Sequence, residues 1–174
     1  NDIDIWALDE CHFYQHGSRC TMWVPPEDVD PIVFQAPTRK GISVFGTVQL
    51  STGKLISEIT PKFDAVTFQA FLEYLVDTQY CGVQLYVILD NSRYHHAKVL
   101  APWLDEHKDE IILEFLPPYS PKLNPIERVW KLLRSLCTHN RYFQTLEELT
   151  DTVRGQFKSW DKPNDTLRKL CAVN

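Results

Sequence analysis

The chain has 174 residues, 44% of them hydrophobic, and a net charge of −5, the size and balance of one globular domain with a real core. No apolar run is long enough to span a membrane, no signal peptide opens the chain, and no global basic excess announces a nucleic-acid partner. Five scattered cysteines (Cys11, Cys20, Cys81, Cys137, Cys171) with no C-x-x-C pair argue for reduced thiols in a cytoplasmic protein rather than a disulfide framework. Among them, Cys11 and Cys20 with His12 and His16 match no standard zinc spacing.

Ile3 to Leu8 is a mostly apolar run ending in Asp9-Glu10, a pattern that predicts a buried strand with acids at its C-terminal end. The opening Asn1-Asp2-Ile3 carries no initiator methionine and runs almost at once into that strand, so a fragment of a longer protein is expected. Residues 15–41 are polar and broken by Pro25, Pro26, Pro31 and Pro37, which predicts a loop or small hairpin excursion. Ile42, Val44, Gly46, Val48 and Leu50 then alternate as a half-buried strand should. Ser51-Thr52-Gly53 turns the chain, and Lys54 to Thr60 returns as the second arm of a hairpin.

Asp64 is placed to cap a helix whose Val66, Phe68, Phe71, Leu72, Leu75 and Val76 share one face. Leu85 to Leu89, five consecutive apolar residues ending in Asp90-Asn91, predicts a central strand covered on both faces. A helix is expected from about Tyr94 to His107, and a short buried strand over Ile111–Leu116. Thr145 caps a last amphipathic helix through Leu146, Leu149, Val153, Phe157 and Trp160, with Glu148 completing a capping box. Three strands, then helices alternating with two more strands, imply a mixed sheet with helices on both faces.

Between these elements lies LPPYSPKLNPIERVWKLLR, Leu116 to Arg134. Its prolines make a stiff lead-in that can be neither helix nor central strand. Behind it Ile126, Val129, Trp130, Leu133 and Leu136 have the spacing of one helix face, with Pro125 suited to the first turn and Asn124 able to cap it. Glu127 thus sits in the first turn of a helix held by a rigid loop. From Lys122 to Arg141 there are five Lys/Arg (Lys122, Arg128, Lys131, Arg134, Arg141) against this one acid, a local basic stripe able to face phosphate.

If the strands ending near Leu8 and Leu89 are parallel neighbours, Asp9 and Asp90 stand side by side at a sheet edge where such folds place their sites. Three carboxylates brought together repel one another unless a cation neutralises them. Oxygen ligands without a Cys/His set suit Mg²⁺ or Mn²⁺. Two such ions about 4 Å apart can activate a nucleophilic oxygen and stabilise a leaving oxygen at a phosphodiester.

The segments ALDECHF (Ala7–Phe13), GSRCTMWVP (Gly17–Pro25), VILDNSRYHHAK (Val87–Lys98) and the proline–NPIE block resemble the catalytic domain of a DDE transposase of the mariner superfamily, nearest the bacterial insertion-sequence members. The resemblance covers nearly the whole chain, residues 1–174, and implies one RNase H-like domain: a mixed five-stranded sheet, its first three strands antiparallel, flanked by helices on both faces. It implies Asp9, Asp90 and Glu127 as catalytic, metal-binding acids, served by Mg²⁺ or Mn²⁺. Asn91 and His95 fall on motif positions beside the second acid, and Asn124 and Pro125 would fix the pose of Glu127. Lys122, Arg128, Lys131 and Arg134 are the DNA-contact candidates, Lys131 and Arg134 foremost. Trp130 is expected in the core, Glu10 facing solvent, and His96 has no family role to take.

Similar proteins cleave DNA at the ends of a transposable element and use the freed 3′-hydroxyl to attack target DNA, usually at TA. They act as dimers on paired ends and carry N-terminal helix-turn-helix modules, which this chain does not contain. An RNase H-like nuclease or resolvase that only hydrolyses, and a domesticated DNA-binding derivative without activity, are the alternative readings.

Overall fold

In a computed structural model that describes residues 3–21, 32, 34–118 and 120–172, the sheet is built outward from its first strand. β1 runs Ile3–Tyr14 and β2 Gly41–Gln49, paired antiparallel from Trp6↔Gln49 to Tyr14↔Gly41. β3, Leu55–Thr60, closes the predicted hairpin against β2, with Gly53 in the left-handed region (φ 72°) at the turn. On the other side of β1, β4 (Gln84–Leu89) pairs in parallel, and β5 (Ile111–Phe115) continues the parallel half. The order is β3-β2-β1-β4-β5, so the mixed five-stranded sheet with its first three strands antiparallel is borne out.

Strand periodicity divides the core. Ala7, Cys11, Phe13, Val44 and Val48 face the helices α3 (Ile126–Cys137), α4 (Leu146–Trp160) and α5 (Asp165–Cys171). Trp6, Leu8, Phe45, Leu85, Val87 and Leu89 face α1 (Ala65–Gln79) and α2 (Ala101–Glu106). Asp64 caps α1 in a full capping box with Thr67, and Phe68, Phe71, Leu72, Leu75 and Val76 are buried as expected; Val66 faces solvent.

Several local expectations are corrected. β1 does not stop at Leu8: pairing with β2 carries it through Asp9 and Glu10 to Tyr14. β2 is buried on both faces at its centre, because Phe45 and Thr47 are covered as well as Val44 and Val48. β4 is fully buried only through Leu85, Val87 and Leu89, while Tyr86 and Ile88 are half-buried. The helix expected from Tyr94 to His107 is instead two 3₁₀ turns, Arg93–His96 and Lys98–Leu100, followed by the short α2. Pro102 sits in the first turn of α2 and donates no N–H, so a helix can begin there but not run through it.

Leu136 faces solvent and Cys137 takes the buried position. Thr145 caps α4 by accepting from the N–H of Glu148, but the Glu148 carboxylate accepts from the N–H of Gln144, one residue outside a true capping box. α5, capped by Asn164, was not anticipated. Of the 15–41 excursion, residues 22–31 and 33 lie outside the described residues, as does Tyr119 of the proline loop. The described start of the excursion is tied to the chain beyond α3 through Asn140, which bonds Cys20 twice. Among the described residues no helix is long and apolar enough to cross a membrane.

Candidate active site

Consecutive residues of a strand point to opposite faces, and β1 uses this on two adjacent acids. Asp9 lies on the α3 face, directly across from Gly46 of β2, and Glu10 on the α1 face with Trp6 and Leu8. The parallel register Ala7↔Ile88, carried two residues on, brings Asp9 abreast of Asp90 just past the end of β4. The expected neighbouring of the two strands is therefore real, although Asp9 sits within its strand and Asp90 beyond the end of its own.

Asp90 is held by the turn that follows it. The Ser92 N–H donates to its Oδ1 at 3.0 Å and the Ser92 hydroxyl to its Oδ2 at 3.1 Å. His95, wholly buried against Phe68 and Tyr94, sets Nδ1 3.2 Å from the Asp90 backbone carbonyl and 3.2 Å from its Oδ1. Its Nε2 lies 2.8 Å from Glu10 Oε1. With a side chain only 11% exposed, Glu10 does not face solvent as expected; it joins β1 to the turn after β4 through His95. Glu10, Asp90 and His95 offer ligand atoms within 4.8 Å of one another, and here the two ring nitrogens of His95 are turned to the oxygens of Glu10 and Asp90 themselves. Asn91 donates to the Leu116 carbonyl, and its Oδ1 meets His96 Nε2 at 3.0 Å, so both flank the start of the proline loop.

That loop enters the sheet through Asn124. Buried to 2% exposure, Asn124 donates from Nδ2 to the Leu8 carbonyl at 2.8 Å, while its Oδ1 has no partner among the described residues. It does not cap α3 with its side chain as expected; its backbone carbonyl accepts from the Glu127 N–H at 3.2 Å. Pro125 is already helical (φ −60°, ψ −30°), which leads directly into Ile126 and places Glu127 in the first turn. Asp9, Asp90 and Glu127 line a single cavity of about 780 Å³, together with Asn91, Asn124 and His96. Arg93 and Ser92 also line it.

The electrostatics of that cavity are adverse to three bare carboxylates. Burial, then the charges of Glu10, Glu127 and Asp90, push the Asp9 carboxyl up from 3.8 to about 8. Trp130, core as expected at 1% exposure, also donates its indole N–H to Asp9 Oδ2 at 3.0 Å. Behind it, burial pushes the Cys11 thiol up to about 12 despite Arg134, and Cys11 does not line the cavity.

The four candidate cations fall into two pairs. Lys122 and Lys131 are exposed, as is Arg128, and the two arginines differ in being tied within the domain. Arg128 donates to the carbonyls of Leu170 and Ala172 at 2.9 and 3.0 Å, tying α3 to the end of α5. Arg134 donates to Cys11 Sγ at 2.9 Å and lies over the Phe13 ring.

A model of the DDE superfamily endonuclease family matches residues 4–150. The uncharacterized protein y4pE/y4sA of Sinorhizobium fredii (strain NBRC 101917 / NGR234) is 31% identical over 131 residues, 75% of this chain and 90% of that protein. The insertion element IS630 uncharacterized 39 kDa protein of Shigella sonnei is 27% identical over 109 residues, 63% of this chain and 32% of its own length. Among solved structures, the Mos1 strand transfer complex superposes with a TM-score of 0.69 at 18% identity, over 96% of this chain and 50% of that one. The Mos1 mariner paired-end complex with Mn gives 0.68 at 16%, over 96% and 51%. The chain thus spans about half the length of the solved chains it matches. The fold is that of the Mos1 chains, one relative is an insertion-element protein, and the chain belongs to the DDE superfamily endonuclease family that its motifs resemble.

Proposed function

We propose that residues 1–174 form the catalytic domain of a cut-and-paste DNA transposase, cleaving strands at the ends of its element and joining the freed 3′-hydroxyl to target DNA. The observation that carries this reading is the convergence of Asp9, Asp90 and Glu127, from three separate segments, on one open cavity. Their donor chemistry fits a hard divalent ion: the ligands are carboxylate oxygens, Cys11 does not line the cavity, and Asp9 resists ionisation until positive charge arrives. Support comes also from the family and from Mos1, whose complexes include one with Mn.

Asp9, Asp90 and Glu127 would hold two Mg²⁺ or Mn²⁺ ions, which when bound polarise the scissile phosphate and the attacking oxygen. The chain's own residues do the rest. Ser92 and His95 keep the Asp90 carboxylate at the cavity wall, and Asn124 and Pro125 fix the first turn of α3, hence Glu127. Lys122 and Lys131 lie exposed around the proline loop and α3, where they face DNA backbone; Arg128 and Arg134 support the helix. Recognition of the element's ends is assigned to a helix-turn-helix module elsewhere in the parent protein, dimeric on paired ends, in a bacterial cytoplasm, with TA as target.

The test is the full-length protein with its cognate ends, a supercoiled target, and Mg²⁺ or Mn²⁺. Cleavage followed by joined products supports the proposal. Cleavage without joining identifies a nuclease, and DNA binding without cleavage a derivative that has lost its chemistry.

A further inference from the structure

Trp130 is the largest side chain of α3 and is almost wholly buried, which its hydrophobic surface alone would explain. Its indole N–H, however, is a donor that must find an acceptor when buried, and it finds Asp9 Oδ2 at 3.0 Å across the β1–α3 interface. The residue paired with Asp9 across the sheet is Gly46. A Cβ added at Gly46 would collide with the Trp130 ring, reaching Cη2 first and lying 2.8 Å from Cζ2. The flanking positions of β2 on that face, Val44 and Val48, are ordinary buried aliphatics. So on this face β2 lacks a side chain at the register of the acid, between two valines, and the indole occupies the gap. Phe13, four residues further along β1 on the same face, meets the same ring edge-on at 6.3 Å between centroids.

We infer that Trp130, seated on Gly46, is a positioning residue for the first acid: its N–H fixes Asp9 Oδ2 and thereby sets the plane of the carboxylate toward the cavity. The inference deepens the proposed metal-dependent reading and rests on it. A buried phenyl ring in place of the indole would fill most of the space and donate nothing. Asp9 would then be free to turn, with the loss in metal affinity of about tenfold that follows removal of a ligand's hydrogen-bond partner.

The decisive experiment pairs crystal structures of the wild type and Trp130→Phe with Mn²⁺ titrations followed by electron paramagnetic resonance. Trp160→Phe, a substitution in the same core at a residue that does not line the cavity, is the control for lost packing. The expected result is an Asp9 carboxylate held at the indole in the wild type and rotated or spread over several orientations in Trp130→Phe. Mn²⁺ affinity should fall about tenfold in Trp130→Phe and stay unchanged in Trp160→Phe, with thermal midpoints lowered in both. Gly46→Ala, which displaces the ring while leaving every donor and acceptor in place, should reproduce the Trp130→Phe loss. An Asp9 orientation unchanged in Trp130→Phe overturns the inference, as does an equal loss of affinity in Trp160→Phe. A wild type that binds no Mn²⁺ while its Asp9 is still released by Trp130→Phe would count against the metal reading and leave the positioning role standing.

Discussion

Asp9 and Glu10 are neighbours on one strand, and the two faces of the sheet treat them differently. On the α3 face Asp9 keeps an opening to the cavity, one indole donor, and a carboxyl pushed up to about 8 by burial and by the surrounding acids. On the α1 face Glu10 is closed off by His95, which spans from it to Asp90. One acid is left unneutralised by the fold and the other is consumed in holding it together. On the proposed reading, that contrast separates ligand from scaffold more sharply than residue type does, since both are carboxylates within a single dipeptide.

The largest effect that would break the comparison is in catalysis. Asp9→Asn, Asp90→Asn or Glu127→Gln in the full-length protein should lower strand cleavage by roughly a thousandfold, several kcal/mol of lost charge stabilisation. Equal losses for Glu10→Gln would erase the distinction. In stability the sign for Asp9 is unusual for a carboxylate. Its folded value near 8 lies above the ordinary 3.8, so between about pH 4 and 8 the unfolded chain has released a proton that the folded chain keeps, and stability falls as pH rises. In EDTA the thermal midpoint should drop between pH 5 and 8 by on the order of 5–10 °C more in the wild type than in Asp9→Asn, and Mn²⁺ should reverse that drop.

On the scaffold face His95→Ala should cost about 2–4 kcal/mol in denaturant unfolding, because it strands Glu10 without its buried partner. The smallest effects separate the cations. Lys131→Ala should reduce the salt slope of DNA binding by about 1, whereas Arg128→Ala should leave the slope alone and cost about 1 kcal/mol through the end of α5.

Much of the fold was legible because its elements carry unmixed periodicity: Leu85–Leu89, the hairpin around Ser51-Thr52-Gly53, and the capped helix after Asp64 all form. The extent of β1 was not legible, since Asp9, Glu10 and His12 read as a polar end, and only pairing with β2 shows that the strand continues. The segment after Asp90 misled because its composition suits a helix while Pro102 and the turn that seats His95 forbid a continuous one. Within the candidate site, the three acids that line the cavity stand in the motifs that carry the family resemblance. Their supporting cast needed the third dimension, although two signals were present: strand alternation puts Glu10 on the same face as Trp6 and Leu8, hence inward, and a tryptophan on a buried helix face needs an acceptor for its N–H. Nothing local in the sequence marks Arg128 as bound to the last carbonyls of the chain's final helix.

The most direct test of the central claim is anomalous diffraction from crystals soaked in Mn²⁺. The account predicts an ion within about 2.0–2.3 Å of carboxylate oxygens of both Asp9 and Asp90, with Glu127 beside it and Glu10 still bonded to His95. An ordered cavity without an ion at saturating Mn²⁺, or an ion bound by Glu10 and His95 instead, would contradict it.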